Sequence, residues 1–365
     1  MPRLPTNFVA PIGSEFALAD EDITLKRNEH RTFIPKSRTT YWVASGRDAL
    51  LAFVKGYRLT SSDELLLPSY ICTEVIQTLR KHVHVSFYPV KSDLSVAIRS
   101  IESCMTPATR AMLLVHYFGF PHPQLQALSR FCKNRGVALI EDCVQAAFTK
   151  VGGKAIGDVG DLAFCSFRKF LPIPDGGWLV VQTPVSIRLQ DSPAHRVYVQ
   201  LRDSVLRMKA ISLQDQVPKR VRDFFFKESF VLVEDGFGYP KPAPMEKASL
   251  DLLKRFPLYA WARQRRKNYQ QLLLLLPRRI KPLFERLPAG VVPLGLPVLS
   301  RRRDALQRDL AAERIYAPVH WRLGSVPEEY EDAWELSHQL LTLPIDQRYG
   351  SLEMKRIATA LCRYA

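Results

Sequence analysis

The stretch VALIEDCVQAAFTKVGGKAIGDVGDLAFCSFRKFLPIPDGGWLVV, residues 137–181, decides the fold because short apolar runs alternate in it with polar turns. The runs have the length of strands and lie at residues 137–140, 163–167 and 178–181. Glu141 and Asp142 follow the first run directly. Open α/β sheets bind ligands at the carboxyl ends of their strands, so this stretch predicts a ligand site beside Asp142.

Lys169 lies between the second and third predicted strands, next to Arg168 and flanked by Phe167 and Phe170. A lysine amine is nucleophilic only when it is deprotonated, a state that apolar surroundings or a neighbouring cation favours. We therefore expect Lys169 to be desolvated and able to attack an aldehyde. Asp142 would keep the ring nitrogen of an aromatic aldehyde cofactor protonated, so the pair suits Schiff-base chemistry on pyridoxal phosphate (PLP).

Each of these features also has an ordinary structural interpretation. A strand that ends in a glutamate and an aspartate is common in α/β folds, and residues 166–169 could be the start of a solvated loop. The prediction of a PLP site therefore depends on the order and spacing of the features along the chain.

This order of motifs resembles the DegT/DnrJ/StrS family of sugar aminotransferases, which are fold-type I PLP enzymes. The family's glutamate-aspartate-x-alanine-glutamine run is matched by residues 141–145, with valine in place of alanine. Its glycine-aspartate pair, its phenylalanine-serine-phenylalanine run and its acid-glycine-glycine triplet resemble residues 160–161, 164–167 and 175–177. From Ser166 to Lys169 the spacing is three residues instead of the family's five, whereas the lysine keeps its distance of six residues from the triplet.

The resemblance implies an α/β fold with two domains. A large PLP-binding domain with a three-layer, mostly parallel sheet would be followed by a smaller α+β C-terminal domain. Lys169 would hold the cofactor's aldehyde as an internal aldimine, and Asp142 would pair with the pyridinium. Gln145 would lie near the phenolic oxygen of the cofactor, and Ser166 would bind its phosphate.

A second phosphate contact is predicted upstream, where Ser45, Gly46 and Arg47 open an amphipathic helix. The first N–H groups of a helix have no partner within the helix and attract anions. The family usually has threonine at the position of Arg47, and an arginine keeps the capacity to bind phosphate. The alternative is a capped helix without a ligand.

Two further strand ends are predicted to face the cofactor. Family members carry an aromatic ring four residues past the proline that ends the next strand, where the ring stacks on the pyridine. This chain has Cys72 at that position, and Tyr70, two residues earlier, could supply the ring instead. His116 ends another predicted strand, and either a contact with cofactor or substrate or a purely structural role fits it.

Strands that alternate with helices up to Gln182 predict a parallel sheet covered on both faces. Residues 185–230 are basic and helical in pattern, and they predict an elaboration of the large domain. Its apolar residues at spacings of three and four are Leu201, Val205, Met208 and Ile211. We expect the large domain to span residues 1–240, including an irregular N-terminal arm, and the interdomain helix and small domain to span residues 241–365.

The boundary between these domains is a proline-rich segment, residues 239–245, which predicts a hinge. In the family an asparagine near this point reaches a phosphate across the dimer, and Lys241 could replace its contact. A helix is predicted at residues 245–261. In the N-terminal arm, three apolar side chains are expected to dock on the domain, namely Phe16, Leu18 and Ile23.

Composition restricts the class of protein. The formal net charge is +16, and 47% of the residues are hydrophobic. No apolar run approaches the roughly 18 residues that span a membrane, and no secretory h-region is found, so a cytoplasmic protein is expected. Six scattered cysteines show no metal-binding spacing, and no metal site is predicted. Because the basic residues alternate with apolar ones at helical spacing, we interpret them as surface charge that also suits an anionic substrate.

The resemblance implies an aminotransferase that moves an amino group, from glutamate, to a nucleotide-linked keto sugar in polysaccharide or secondary-metabolite biosynthesis. Such enzymes are homodimers with active sites at the interface. One alternative is a PLP-fold relative with altered or no transaminase chemistry, such as a sugar dehydratase, although a histidine replaces the lysine in that branch. Another is a basic protein that binds nucleic acid or another anion on the same scaffold, but no nucleic-acid-binding motif is present. The identity of the ketone is not encoded in these motifs.

Overall fold

The computed structural model describes residues 11–19, 23, 33–36, 39–182, 185–212, 218, 220–221, 224 and 241–364. Its strands are β1 Ile12–Gly13, β2 Thr39–Val43, β3 Glu64–Pro68, β4 His84–Tyr88, β5 Thr109–Val115, β6 Ala138–Asp142, β7 Lys150–Val151, β8 Lys154–Ala155, β9 Leu162–Phe164, β10 Gly177–Val181, β11 Lys281–Pro282, β12 Leu296–Leu299, β13 Ile315–Tyr316 and β14 Leu340–Leu343. Its α-helices are α1 Gly46–Gly56, α2 Thr73–Arg80, α3 Ile98–Ser103, α4 Leu125–Asn134, α5 Pro193–Ser212, α6 Lys247–Leu253, α7 Leu258–Leu275, α8 Arg303–Ala312, α9 Glu331–Gln339 and α10 Ser351–Tyr364.

A seven-stranded sheet with the order β2-β10-β9-β6-β5-β3-β4 forms the centre of the large domain. The five strands from β9 to β4 are mutually parallel, whereas β10 runs antiparallel to both β9 and β2. Central strands are apolar along their whole length, as in β3, where Leu65, Leu66 and Leu67 are fully buried. Strands of this kind require cover on both faces, and the structure confirms the predicted α/β fold with a mostly parallel sheet.

Two strand boundaries differ from the sequence prediction in a way that affects the site. Strand β6 continues through Glu141 and Asp142, so both carboxylates belong to the strand's carboxyl end. Strand β9 ends at Phe164, two residues before Ser166, and a 3₁₀ turn follows at Phe167–Lys169. The polar end of β6 is tolerated because hydrogen bonds satisfy its buried carboxylates.

The C-terminal part of the chain forms a three-stranded antiparallel sheet, β11-β12-β14, which packs with the surrounding helices. The helix predicted at residues 245–261 is two helices, α6 and α7, and Pro257 precedes the second as its N-cap residue. Proline cannot supply an N–H to a continuing helix, which accounts for the break. Strand β1 pairs in parallel with β13, so the N-terminal arm is attached to the C-terminal part of the chain. The division at residue 240 remains a prediction, because residues 225–240 lie outside the described part.

Helix α5 begins the elaboration predicted at residues 185–230, most of whose second half lies outside the described residues. The apolar residues at these spacings do not form the most buried face of the helix. Leu201, Met208 and Ile211 are 43%, 48% and 50% exposed, whereas Arg202 and Lys209 are 1% exposed. The polar face is buried because it contacts the N-terminal arm: Lys209 Nζ donates hydrogen bonds to Ser14 Oγ at 2.9 Å and to the Glu15 carbonyl at 2.6 Å.

Other sequence predictions concern the arm, the thiols and the surface. Phe16 and Leu18 are buried as expected. Ile23 packs against a cluster of buried apolar residues that includes Phe170 and Trp178. Six free cysteines are present, of which Cys132, Cys143 and Cys165 are buried. Among the described residues, no helix combines the length and the apolar character required to cross a membrane.

Candidate active site

Lys169 is presented by the 3₁₀ turn after β9. The flanking rings of Phe167 and Phe170 are 2% and 0% exposed and anchor the turn in the core. Side chains three residues apart lie on one side of a 3₁₀ turn, so the side chain of Lys169 points elsewhere and is exposed in the single chain. The predicted desolvation of this lysine between two aromatic rings is therefore wrong for the isolated chain.

The glycines after the lysine fix the course of this turn. Gly176 has φ +125°, in the region that favours glycine, and a Cβ there would lie 2.5 Å from the Met245 side chain. A Cβ on Gly177 would lie 2.1 Å from the carbonyl oxygen of Cys165. The Phe167 N–H donates to the Gly176 carbonyl at 2.9 Å, which ties the two ends of the loop together. The acid-glycine-glycine triplet thus has a steric explanation that does not depend on a ligand.

Asp142 is 7% exposed at the carboxyl end of β6, and its Oδ1 accepts a hydrogen bond from Val144 N–H at 2.9 Å. Burial raises the pKa of Asp142 to about 6, although the Val144 N–H and the nearby charges of His116 and Lys169 act in the opposite direction. Within the described part of the chain, no arginine, lysine or histidine forms an ion pair with it. The site therefore contains a buried carboxylate that a cationic partner would stabilise.

Gln145 contributes an unused hydrogen-bond donor close to this carboxylate in sequence. The side chain is 2% exposed, and its Oε1 accepts from Phe118 N–H at 2.8 Å. Its Nε2 is buried and has no hydrogen-bond partner among the described residues. A buried donor without a partner is costly, so this amide is suited to a ligand that brings an acceptor.

The N-terminus of α1 approaches the same end of the sheet. Ser45 caps the helix through its Oγ, which accepts from Asp48 N–H at 3.3 Å. A Cβ on Gly46 would lie 3.1 Å from Val144 and 3.3 Å from Phe164, so a glycine permits the close approach of helix and strands. The orphan N–H groups of α1 therefore lie beside the strand ends, as a phosphate contact requires.

Arg47 and Lys169 both act on a residue that the sequence analysis missed, Glu74 in the first turn of α2. Burial raises the pKa of Glu74, but the Cys72 thiol, which donates to it at 2.5 Å, and the charges of Lys169 and Arg47 lower it overall. Burial and the Glu74 carboxylate raise the pKa of Cys72 to about 12, so this thiol stays protonated. Glu74 follows Cys72 by two residues, and only the fold reveals that it faces the two cations.

Tyr70 does not replace the aromatic ring that the family has at the position of Cys72. It is fully buried, and its ring packs against Tyr117 and Trp321 with centroid distances of 5.9 Å and 5.6 Å. Its hydroxyl donates to the His320 carbonyl and accepts from Trp321 N–H at 3.0 Å. Tyr70 is therefore held in the contact between the sheet and the C-terminal part, which leaves no ring face for a cofactor.

His116 is a satisfied structural histidine. Its Nε2 lies 2.9 Å from Glu141 Oε2, both side chains are 0% exposed, and its Nδ1 accepts from His122 N–H at 3.0 Å. Glu141 also accepts from the backbone N–H groups of Val159 at 2.9 Å and Gly160 at 2.6 Å. With both ring nitrogens bonded within the chain, His116 has no ring hydrogen bond to offer a ligand.

His116 and Glu141 also belong to a group with Cys143 whose potential ligand atoms lie within 4.8 Å of one another. The sequence spacing gave no indication of this group. Because the histidine and the carboxylate already bond to each other and to backbone N–H groups, their donor atoms serve the fold.

Of the two remaining predicted phosphate contacts, Ser166 lies close to Lys169 in the chain and Lys241 lines a different cavity. Ser166 is 8% exposed, precedes the 3₁₀ turn and makes no capping hydrogen bond, so its hydroxyl lies in the Lys169 loop without a capping role. Lys241 is exposed and lies at the C-terminal end of α1 with Lys55 and Arg58. Lys169 lines a different cavity, so Lys241 is not brought together with it within one chain.

Lys169 lines a cavity of about 610 Å³ between the sheet and the C-terminal part. The facing wall includes residues that the sequence analysis did not assign to the site, among them His320, Thr342 and Arg308. The His320 ring lies 2.9 Å from Thr342 Oγ1 through its Nδ1. Burial, followed by the charge of Lys169, lowers the pKa of His320 to about 3, so this imidazole is neutral at physiological pH.

The residues present fit PLP in most respects. The described chain combines an accessible amine, a buried carboxylate without a cation, a free amide donor and the N-terminus of a helix at one end of the sheet. Cys72, at the place of the family's stacking ring, departs from this pattern.

The matches to known proteins agree with the fold and the motif order. Residues 32–188 match the model of the DegT/DnrJ/EryC1/StrS aminotransferase family. One relative, the UDP-N-acetyl-3-dehydro-alpha-D-glucosamine 3-aminotransferase of Acidithiobacillus ferrooxidans, is 30% identical over 145 residues, which are 38% of each protein. Another, the dTDP-4-dehydro-2,3,6-trideoxy-D-glucose 4-aminotransferase of Saccharopolyspora spinosa, is 34% identical over 147 residues, or 38% of this chain and 37% of the relative.

Similarity to solved structures extends further along the chain. PseC from Helicobacter pylori, an aminotransferase involved in the biosynthesis of pseudoaminic acid, superimposes with a TM-score of 0.68 over 97% of this chain and 99% of its own, at 14% identity. The shared fold thus continues beyond the stretch in which the sequences are recognisably similar. Residues 32–188 are therefore similar in sequence to the DegT/DnrJ/EryC1/StrS aminotransferase family, and the chain matches less than two fifths of the length of these two relatives.

Proposed function

We propose that this protein is a PLP-dependent aminotransferase that transfers an amino group from glutamate to a nucleotide-linked keto sugar. The observation that carries the proposal is the position of Lys169, whose charge acts on the buried carboxylate of Asp142 at the carboxyl end of β6. When bound, PLP would supply an electron-withdrawing ring for the carbon that carries the transferred nitrogen.

Each of these residues would have a different role in binding the cofactor and in the reaction. Lys169 would hold the cofactor and carry a proton from one reacting carbon to the next, because its amine is the accessible base in the cavity. Asp142 would keep a positive charge on the ring nitrogen, and Gln145 Nε2 would donate to the phenolic oxygen. The N–H groups of α1, with Ser166 and Arg47, would bind the phosphate.

The proposed substrate class rests on the relatives and on the charge of the cavity. The two relatives described above are aminotransferases named for UDP- and dTDP-linked dehydro sugars. In this chain the cavity that contains Lys169 also has Arg168 and Arg308 in its wall, which suits an anionic substrate. We propose polysaccharide or secondary-metabolite biosynthesis as the setting, and a cytoplasmic homodimer with interface active sites as the working form.

The test is the visible absorption spectrum of the purified protein with added PLP. We expect a visible absorption band in the wild type and in a Lys154→Ala control, which removes an exposed lysine from the start of β8. Lys169→Ala should lack the band, and glutamate should bleach it in the wild type. A spectrum that is the same in Lys169→Ala and in the wild type would refute the role of the lysine.

A second candidate function is a PLP enzyme whose reaction is not transamination. The hydrogen bond between Cys72 and Glu74 favours it, because a thiol bonded to a carboxylate stands near Lys169 in place of the family's uncharged ring. A Lys169-dependent band that glutamate and other amino acids leave unchanged would support this candidate over the first.

A further inference from the structure

A second cavity, of about 410 Å³, lies at the C-terminal end of α1 and is lined by four basic side chains. Three segments of the chain supply them: the end of α1, the segment after β10, and the start of the C-terminal part. The four are Lys55, Arg58, Arg188 and Lys241. Ser186 and Gln190 add uncharged hydrogen-bonding groups, and none of the described residues that line the cavity is acidic. We call these six residues the basic cavity.

The segments that form the basic cavity are fixed to one another. The N–H of Gln190 donates to the Pro242 carbonyl at 2.8 Å, which joins the second segment to the third. A Cβ on Gly56 would lie 2.8 Å from Val185, so the second segment packs tightly on the end of α1. The four charges are therefore held around one space by the backbone, although their side chains are exposed.

Ordinary helix electrostatics does not account for this arrangement. The last turn of a helix attracts one or two cations, and Lys55 and Arg58 would suffice for α1. Arg188 and Lys241 approach from outside the helix and increase the repulsion between like charges. None of the four forms an ion pair with a carboxylate of the described chain. The four charges are therefore not compensated by an acidic side chain of the described residues.

We propose that the basic cavity binds the diphosphate group of a small molecule such as a nucleoside diphosphate. A single phosphate carries about −1.5 to −2 charges at pH 7, so two phosphate groups come closer to balancing four cations. The volume also lies within the roughly 300–1,000 Å³ of small-molecule sites and exceeds what one phosphate fills. Two arginines provide the planar forks that match phosphate oxygens.

This site is distinct from the Lys169 site within the chain, because the two cavities share no lining residue. The proposal does not rest on transamination, so the two can fail separately. A protein that forms no coloured PLP complex could still bind a diphosphate here.

Calorimetric titration of the PLP-loaded protein with UDP, pyrophosphate, inorganic phosphate and uridine tests the proposal. We expect UDP and pyrophosphate to bind with similar affinity, phosphate more weakly, and uridine not at all. The double variant Arg58→Ala/Arg188→Ala should weaken the binding of UDP about tenfold or more, because both guanidinium groups that would contact phosphate are lost. The matched control is Arg99→Ala/Arg286→Ala, which removes the same charge from exposed positions elsewhere.

Repeating the titration on Arg308→Ala, which removes a cation from the wall of the Lys169 cavity, separates this site from the proposed active site, since binding at the basic cavity should persist there. Equal affinity in both double variants, or an equal loss in both, would overturn the proposal. Equal affinity for phosphate and pyrophosphate would overturn the diphosphate assignment, and tighter binding of a short oligonucleotide through the same arginines would replace it by a nucleic-acid surface. Lys55→Gln/Lys241→Gln provides an independent pair should Arg58→Ala/Arg188→Ala fail to fold.

Discussion

Replacing Asp142 by asparagine should stabilise the protein without PLP while it weakens the bound state. The side chain is 7% exposed, and burial raises its pKa from 3.8 to about 6. Below pH 3.8 the carboxyl group is protonated in both the folded and the unfolded chain and has no linked effect. As pH rises from 3.8 to about 6, the carboxyl group ionises in the unfolded chain but remains largely protonated in the folded chain. The free energy of unfolding therefore falls over this range and levels off above the folded pKa.

The size of the effect follows from that difference in pKa. At 1.36 kcal/mol per pKa unit, the ionised carboxylate costs the folded chain about 3 kcal/mol at pH 8. The same linkage gives a cost of roughly 1.6 kcal/mol at pH 5, so about half of it develops between pH 5 and pH 8. Asparagine retains an oxygen for Val144 N–H and does not titrate.

Urea unfolding of the PLP-free wild type and of Asp142→Asn, at several values between pH 5 and pH 8, measures this difference. The variant should be the more stable of the two, by a margin that grows with pH. With PLP present the order should reverse, because the variant cannot pair with a ring cation. A PLP-free variant that is less stable than the wild type throughout this range would refute the reasoning, since Asp142 would then have a stabilising partner.

Three further predictions separate structural residues from reacting ones. Glu141→Gln should lower the free energy of unfolding by about 3 kcal/mol near pH 7, because it breaks a buried pair with His116. The Lys169-dependent absorption band should persist in the folded fraction of this variant. Loss of the band without loss of stability would contradict the structural role of Glu141. Tyr70→Phe leaves Trp321 N–H without its buried acceptor and should cost about 1–3 kcal/mol in urea unfolding, with an unchanged spectrum. His320→Ala should leave the spectrum unchanged and lower kcat/KM for the keto substrate by about tenfold in steady-state assays, because the imidazole lines the cavity without holding the cofactor; unchanged kinetics would remove it from the site.

The α/β fold, the positions of its central strands and the carboxylate at the end of β6 could be predicted from the sequence because they depend on local patterns. The run of apolar residues before Glu141 and the position of Asp142 after it suffice to place a carboxylate at a strand end. The glycine triplet and the lysine at a distance of six residues identify the loop that presents Lys169. Each of these inferences needs only neighbours in the chain.

The errors concern contacts between residues that are far apart in sequence. The ring and the hydroxyl of Tyr70 both contact Trp321, which lies 251 residues further along the chain. The spacing of apolar residues in α5 does not show which face is buried, because the N-terminal arm brings polar partners to Lys209, whose Nζ bonds to residues 194 and 195 positions away. The periodicity of a helix shows that it has two faces, and only the tertiary structure decides which of them is buried.

The departure at Cys72 illustrates how such a site can change without losing its scaffold. A thiol provides no aromatic face to stack on a pyridine, and its hydrogen bond to Glu74 holds that carboxylate at the start of α2. The charges of Lys169 and Arg47 both stabilise the ionised form of Glu74. A ligand that brings its own anion to Arg47 would compete with Glu74 for the cations, so binding of a phosphate there would alter the environment of Lys169.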